Sequence, residues 1–202
     1  MTRSASRAGI GDPGSISPVD FANSIACPAC RVGDALASEA EARRWIRVHG
    51  PQIRGRVSAV DARRLRRFRA SVRSLLGSAI LSTTPPAHAL REINRAWRRA
   101  VESYRLEWHR GRWSEAVRVR NASVADQVAG RLARSLVRLL SSPDVGRLRM
   151  CAAPECVHLL LSRTRQQLWC SSTGCGNRVR VARHYRKWRM ADGRRRPSAG
   201  RC

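Results

Sequence analysis

Lysine is all but missing from this chain: Lys187 stands alone among 40 basic side chains. Arginine supplies the rest, a skew that suggests an arginine-favouring genome, with part of the charge then due to codon bias on solvated faces. Acidic residues are also scarce, 14 against those 40, and they are scattered. General acid–base chemistry therefore has few candidates. No carboxylate pair, nucleophile elbow, Walker loop or dinucleotide fingerprint appears, and an enzyme is not expected. Long apolar runs are absent, which excludes a membrane-spanning helix. No apolar leader opens the chain, and residues 1–16 read as a flexible arm. The expected compartment is then a reducing cytoplasm, at the nucleoid, where paired cysteines serve as metal ligands rather than disulfides.

What is present begins with size and charge. The 202 residues, 43% of them hydrophobic, give room for one ordinary domain and a small module. Net charge is +26, and 14 of the basic but only 2 of the acidic residues lie from Arg147 onward. Such crowding of one sign points to a polyanionic partner, with DNA, RNA and an acidic membrane surface as candidates, DNA being the one expected and RNA the alternative.

The same region holds four cysteines as two equal pairs, Cys151-x4-Cys156 and Cys170-x4-Cys175. Four thiolates close a tetrahedral structural zinc site, and metal binding there supplies folding free energy to a segment with little core. A catalytic zinc would need an open position and usually a histidine or carboxylate, so the all-sulfur set argues for structure. His158 and His184 lie close enough in sequence to substitute, although a packed or solvated histidine is the plainer reading. A further pair, Cys27-Pro28-Ala29-Cys30, stands alone. Two thiols do not close a site, so incidental thiols are the default and redox sensing the alternative.

Helical periodicity places a capped helix after Ser38, a longer one over 58–80 and another over 87–100. Alternation over 103–108 and 113–120 predicts a β-hairpin, with Trp108 and Trp113 flanking its turn. A further helix spans 123–140, and the Pro/Gly-bearing stretch 141–146 reads as a domain boundary. Beyond it, Val157–Leu161 is a strand candidate with 167–169 as its partner. The second cysteine pair then opens a basic helix over 176–189, which Asn177 can cap. The expected fold is α+β: a mostly helical domain with a hairpin over 17–142, a small treble-clef-like four-cysteine finger over 147–190, and a disordered basic tail over 191–202.

Around that second pair the chain reads Trp169-Cys170-Ser171 and Cys175-Gly176-Asn177-Arg178, and near its start Phe21-Ala22-Asn23-Ser24. In these segments, and in Arg147-Leu148-Arg149-Met150-Cys151, it resembles the CGNR zinc-finger family, bacterial proteins described as stress-induced transcription regulators. Ser162 and Leu168 depart from the family's usual residues. The resemblance implies one structural zinc in a C-terminal finger for DNA, behind a helical domain, ABATE, that senses a ligand or mediates association. A small-molecule effector and a homodimer are thus open partners, and an interaction module without nucleic acid is a further alternative.

The nucleic-acid contacts expected are Arg178, Arg180, Arg183, Arg186, Lys187 and Arg189 on the helix, with Arg163 and Arg165 between the knuckles. The plain alternative is a solvated charged helix. Tyr185 and Trp188 are expected to pack back on the finger.

Overall fold

The computed structural model describes residues 15–50, 53–99, 102–109, 111–119 and 122–193. The expected terminal arm and tail fall largely outside them. Ile16, expected at the end of that arm, is instead fully buried in the core.

Serine starts four of the α-helices, for one reason: its hydroxyl accepts the backbone N–H three residues on, which would otherwise have no partner. Ser17 does this for α1 (Pro18–Ala22), Ser38 for α2 (Glu39–His49), Ser58 for α3 (Ala59–Leu81) and Ser123 for α5 (Val124–Leu140). Between the last two lie α4 (Ala87–Arg99) and an antiparallel hairpin, β1 (Glu102–His109) with β2 (Arg112–Val119). Trp108 faces Trp113 across its turn, with ring centroids 4.8 Å apart.

Helices α3, α4 and α5 pack on one another. Leu65, Phe68, Val72, Leu75 and Leu76 supply the inner face of α3, while Val128, Leu132, Leu136 and Leu139 supply that of α5. Asp61 locks the two together. It completes the capping box with Ser58 and also accepts the Ala125 N–H at 3.0 Å, so one buried carboxylate serves two helix starts.

The arginines of α3 are not all solvated. Arg69, only 5% exposed, donates to both carboxylate oxygens of Asp34, at 2.8 and 2.6 Å, and to the Ser24 hydroxyl. Arg73 donates to the carbonyls of Ala22 and Val157.

After α5, a 3-10 turn at Pro143–Arg147 leads into β3 (Leu148–Met150), which pairs antiparallel with β4 (Leu159–Leu161). Here the expectation is corrected: the partner of β4 is 148–150, not 167–169. Residues 167–169 make no strand, though Leu168 accepts a hydrogen bond from Ala152. The reason lies in the core. Leu148 and Leu159 are both buried in the same cluster as α1, α3 and α5, so the strand pair that packs there takes both. The last helix, α6 (Asn177–Gly193), follows a wide helical turn at Ser172–Gly176. Among the described residues no helix is long and apolar enough to cross a membrane.

Candidate metal centre

Each cysteine pair sits in a tight turn. In the first, Cys151 donates its N–H to His158 at the foot of β4, Cys156 donates to Ala153, and Glu155 takes a left-handed φ of 60° to bring the chain round. In the second, Ser171 caps the wide turn by accepting from Gly174 N–H at 3.0 Å, and Cys175 enters α6 from it. Ser171 therefore holds the capping position expected of Asn177, which is already helical.

The turn needs glycine at 176. A Cβ there would stand 3.3 Å from the Ser171 carbonyl oxygen, from the Trp169 ring and from Arg180. Arg178 ties the two turns together, donating to the Pro154 carbonyl at 3.0 Å and reaching the Cys175 sulfur at 3.8 Å.

These turns bring Cys151, Cys156, Cys170 and Cys175 to one point, with all four sulfurs within 4.8 Å of one another. All four are free thiols, and three are buried. The Cys170 sulfur lies 3.7 Å from that of Cys175 and 3.9 Å from that of Cys156. Zinc–sulfur bonds of about 2.3 Å in a tetrahedron separate the sulfurs by about 3.8 Å, so the donor set fits the ion.

The electrostatics agree. Burial, together with the neighbouring sulfurs, pushes the Cys156 thiol up to about 11. Burial and the charge of Cys151 and Cys156 push Cys170 up strongly. For Cys175 burial acts in the same direction, but Arg178 and the other thiols outweigh it and hold the group below its ordinary value. A dication at the centre removes the mutual repulsion that keeps such a set protonated, which couples metal uptake to proton release.

Residues 17–143 match the ABATE family model, described as "Putative stress-induced transcription regulator", and residues 147–187 match the CGNR zinc finger. The chain belongs to the ABATE family. Its CGNR finger, with four cysteine sulfurs gathered within metal-binding distance, supports one structural zinc. One matched model is thus described by transcription regulation and the other by a zinc finger. No curated protein matches the sequence.

The ABATE opening Phe21-Ala22-Asn23-Ser24 also finds its physical meaning here. Phe21 packs its ring against Trp45 and Phe68, Asn23 binds β4, and Ser24 receives Arg69.

The basic residues divide into two groups. Arg178 and Arg180 turn back on the finger, the latter donating to the Ser172 carbonyl at 3.0 Å. Arg183, Arg186, Lys187 and Arg189 are exposed along α6, as are Arg163 and Arg165 in the loop between the knuckles. His184 is exposed too and joins neither candidate ligand group among the described residues. Tyr185 and Trp188 do not pack back on the finger as expected: they are 62% and 60% exposed. From Arg180 to Met190 every residue of α6 is exposed, and the Tyr185 ring meets that of its neighbour His184, with centroids 6.2 Å apart.

Sequence reasoning gave two participants too little weight. His158 stands beside the centre with its Nδ1 3.8 Å from the Cys170 sulfur. Burial, aided by the charge of Arg73 and opposed by the Ile25 backbone, lowers its basicity and favours the neutral ring. The pair Cys27 and Cys30, disulfide-bonded to each other, lies against the finger, with the Cys30 sulfur 3.4 Å from that of Cys156. Only the doublet C-x2-C could have hinted at this.

Proposed function

We propose that this protein is a zinc-dependent, DNA-binding transcription regulator. Cys151, Cys156, Cys170 and Cys175 hold the ion, and α6 is the element laid against DNA. The observation that carries this reading is the exposed run Arg183, Arg186, Lys187 and Arg189 on a helix that begins at a metal-ligand turn. A helix fixed at its root by sulfur and metal presents its guanidinium groups in a constant direction, which suits groove or phosphate contacts. Arg163 and Arg165 add backbone contacts from the neighbouring loop. The helical domain tunes the affinity by binding a small effector or by association.

The test is binding of the zinc-loaded full chain to duplex DNA across a salt series. Affinity should fall steeply with salt, since displaced counterions supply much of the free energy. Cys170→Ser should abolish it. Normal, salt-insensitive binding by that variant would overturn the reading.

A second reading is favoured by one observation: Val181, Tyr185 and Trp188 are exposed at helical spacing. That apolar stripe suits a protein partner, with the arginines as its solubilising flank. Retention of a protein partner at high salt, with no retention of DNA or RNA, would support it instead.

A further inference from the structure

The sulfurs of Cys27 and Cys30 come from far away in the chain, yet they join the finger's buried cluster. Cys27 is fully buried among Cys151, Ala153, Cys156, Leu160 and Cys175. Cys30 places its sulfur 3.4 Å from Cys156 and 3.6 Å from Cys175. This is no chance approach of a loose loop. Cys27 and Val32 exchange backbone hydrogen bonds, and Arg31 turns the chain through a left-handed φ of 55°. Arg69 pins the following segment through Asp34. The first finger pair is built alike, with a left-handed residue bringing its turn round.

The disulfide closes a loop with a sequence separation of only 3, too short to restrict the unfolded chain much. Stapling therefore does not explain the pair. A ligand does: Cys27, Cys30, Cys156 and His158 form a second group of four donors, all within 4.8 Å of one another. The Nε2 atom of that His158 ring is buried without a hydrogen-bond partner, so the imidazole still has a nitrogen to offer.

The geometry points to a second zinc site, formed by Cys27, Cys30, Cys156 and His158 in the dithiol state, with Cys156 bridging it to the finger's own ion. A reductant of the dithiol class opens the Cys27–Cys30 bond. Two electrons and two protons pass to the two sulfurs, and the reductant closes its own disulfide. The two thiol protons then leave as the metal binds. The two added thiolates match the added dication, so the cluster gains no net charge, and no further buried cation is needed.

This inference rests on the finger holding zinc through Cys151, Cys156, Cys170 and Cys175, and metal stoichiometry separates the two claims. The full chain, reduced with dithiothreitol, desalted without oxygen and loaded with zinc, should contain two ions per chain. Diamide oxidation should release one of them, while Cys27→Ser/Cys30→Ser should hold one whatever the redox state. With cobalt in place of zinc, the reduced wild type should show the weakened paramagnetism of a thiolate-bridged pair. One ion per reduced chain, or two held by reduced Cys27→Ser/Cys30→Ser, would overturn the second site while leaving the finger intact. No metal at all would overturn both.

Discussion

Asn23 and Leu159 exchange two hydrogen bonds across 136 residues of sequence, each 2.8 Å long: the side-chain amide of Asn23 donates to the Leu159 carbonyl, and its oxygen accepts the Leu159 N–H. One side chain thus acts as a strand neighbour for β4 and fastens the finger to the helical domain. Asn23→Asp keeps the acceptor but loses the donor, leaving a partly buried carbonyl unpaired. A loss of about 1–3 kcal/mol is expected in denaturant unfolding, with Asn23→Ala similar or worse.

Removing the metal should be felt beyond the finger. Leu148 and Leu159 belong to the core shared with α3 and α5, so a chelator that frees the sulfurs also loosens those strands. Thermal unfolding followed by far-UV circular dichroism should show the whole helical signal melting at lower temperature after metal removal. An unchanged helical transition would mean that the two parts are independent.

Acid should destabilise the fold through Asp61, Asp34 and Asp126. For each, burial pushes the carboxyl up, but stronger opposing interactions hold it below its ordinary 3.8. For Asp61 these are the Ser58 hydroxyl and the Ala125 and Ser58 N–H groups, and for Asp34 they are Arg69 and the Leu36 N–H. A carboxylate with a depressed folded value contributes stability that is present above its unfolded value and lost as pH falls through the folded one. Stability should therefore decline below about pH 4, the ordinary carboxylate range. Asp61→Asn should be less stable at neutral pH and show a shallower decline, as read from denaturant midpoints across pH.

Gly176→Ala tests the close packing of the second knuckle. A methyl group at 3.3 Å from a backbone oxygen and an indole ring forces the turn to shift, at a cost of about 1–3 kcal/mol. Zinc affinity, measured by competition with a chromophoric chelator, should weaken roughly 5- to 150-fold by the same energies.

The arginines of α6 should separate by role. Replacing Arg183, Arg186 and Arg189 with alanine should flatten the salt dependence of DNA binding, by about 0.9 in log–log slope for each phosphate no longer neutralised, and leave zinc affinity unchanged. Arg178→Ala should instead weaken zinc binding, because its donors hold the Pro154 carbonyl and approach the Cys175 sulfur.

Much of this was written locally and could be read so. Serines followed three residues later by an unpaired N–H mark the helix starts, and the matched cysteine pairs mark the metal centre. What sequence could not disclose depends on partners far away. Strands of three residues carry no period, so β4 gave no sign that it would choose Leu148–Met150. Arg69 and Arg73 look like solvated helix residues until Asp34 and the Ala22 carbonyl meet them. Tyr185 and Trp188 look like core residues, and are not, lying on a stretch of α6 that is exposed from Arg180 to Met190. The pair Cys27 and Cys30 looked solitary because its neighbours stand more than 120 residues further on.

The strands that complete the helical core leave the ribosome well after the helices they cover. Until residues 148–161 emerge, α1 and α3 have an open apolar flank, and Asn23 has no strand to hold. Maturation is therefore expected to wait until synthesis has passed the finger, so a product arrested before it would be open to proteolysis.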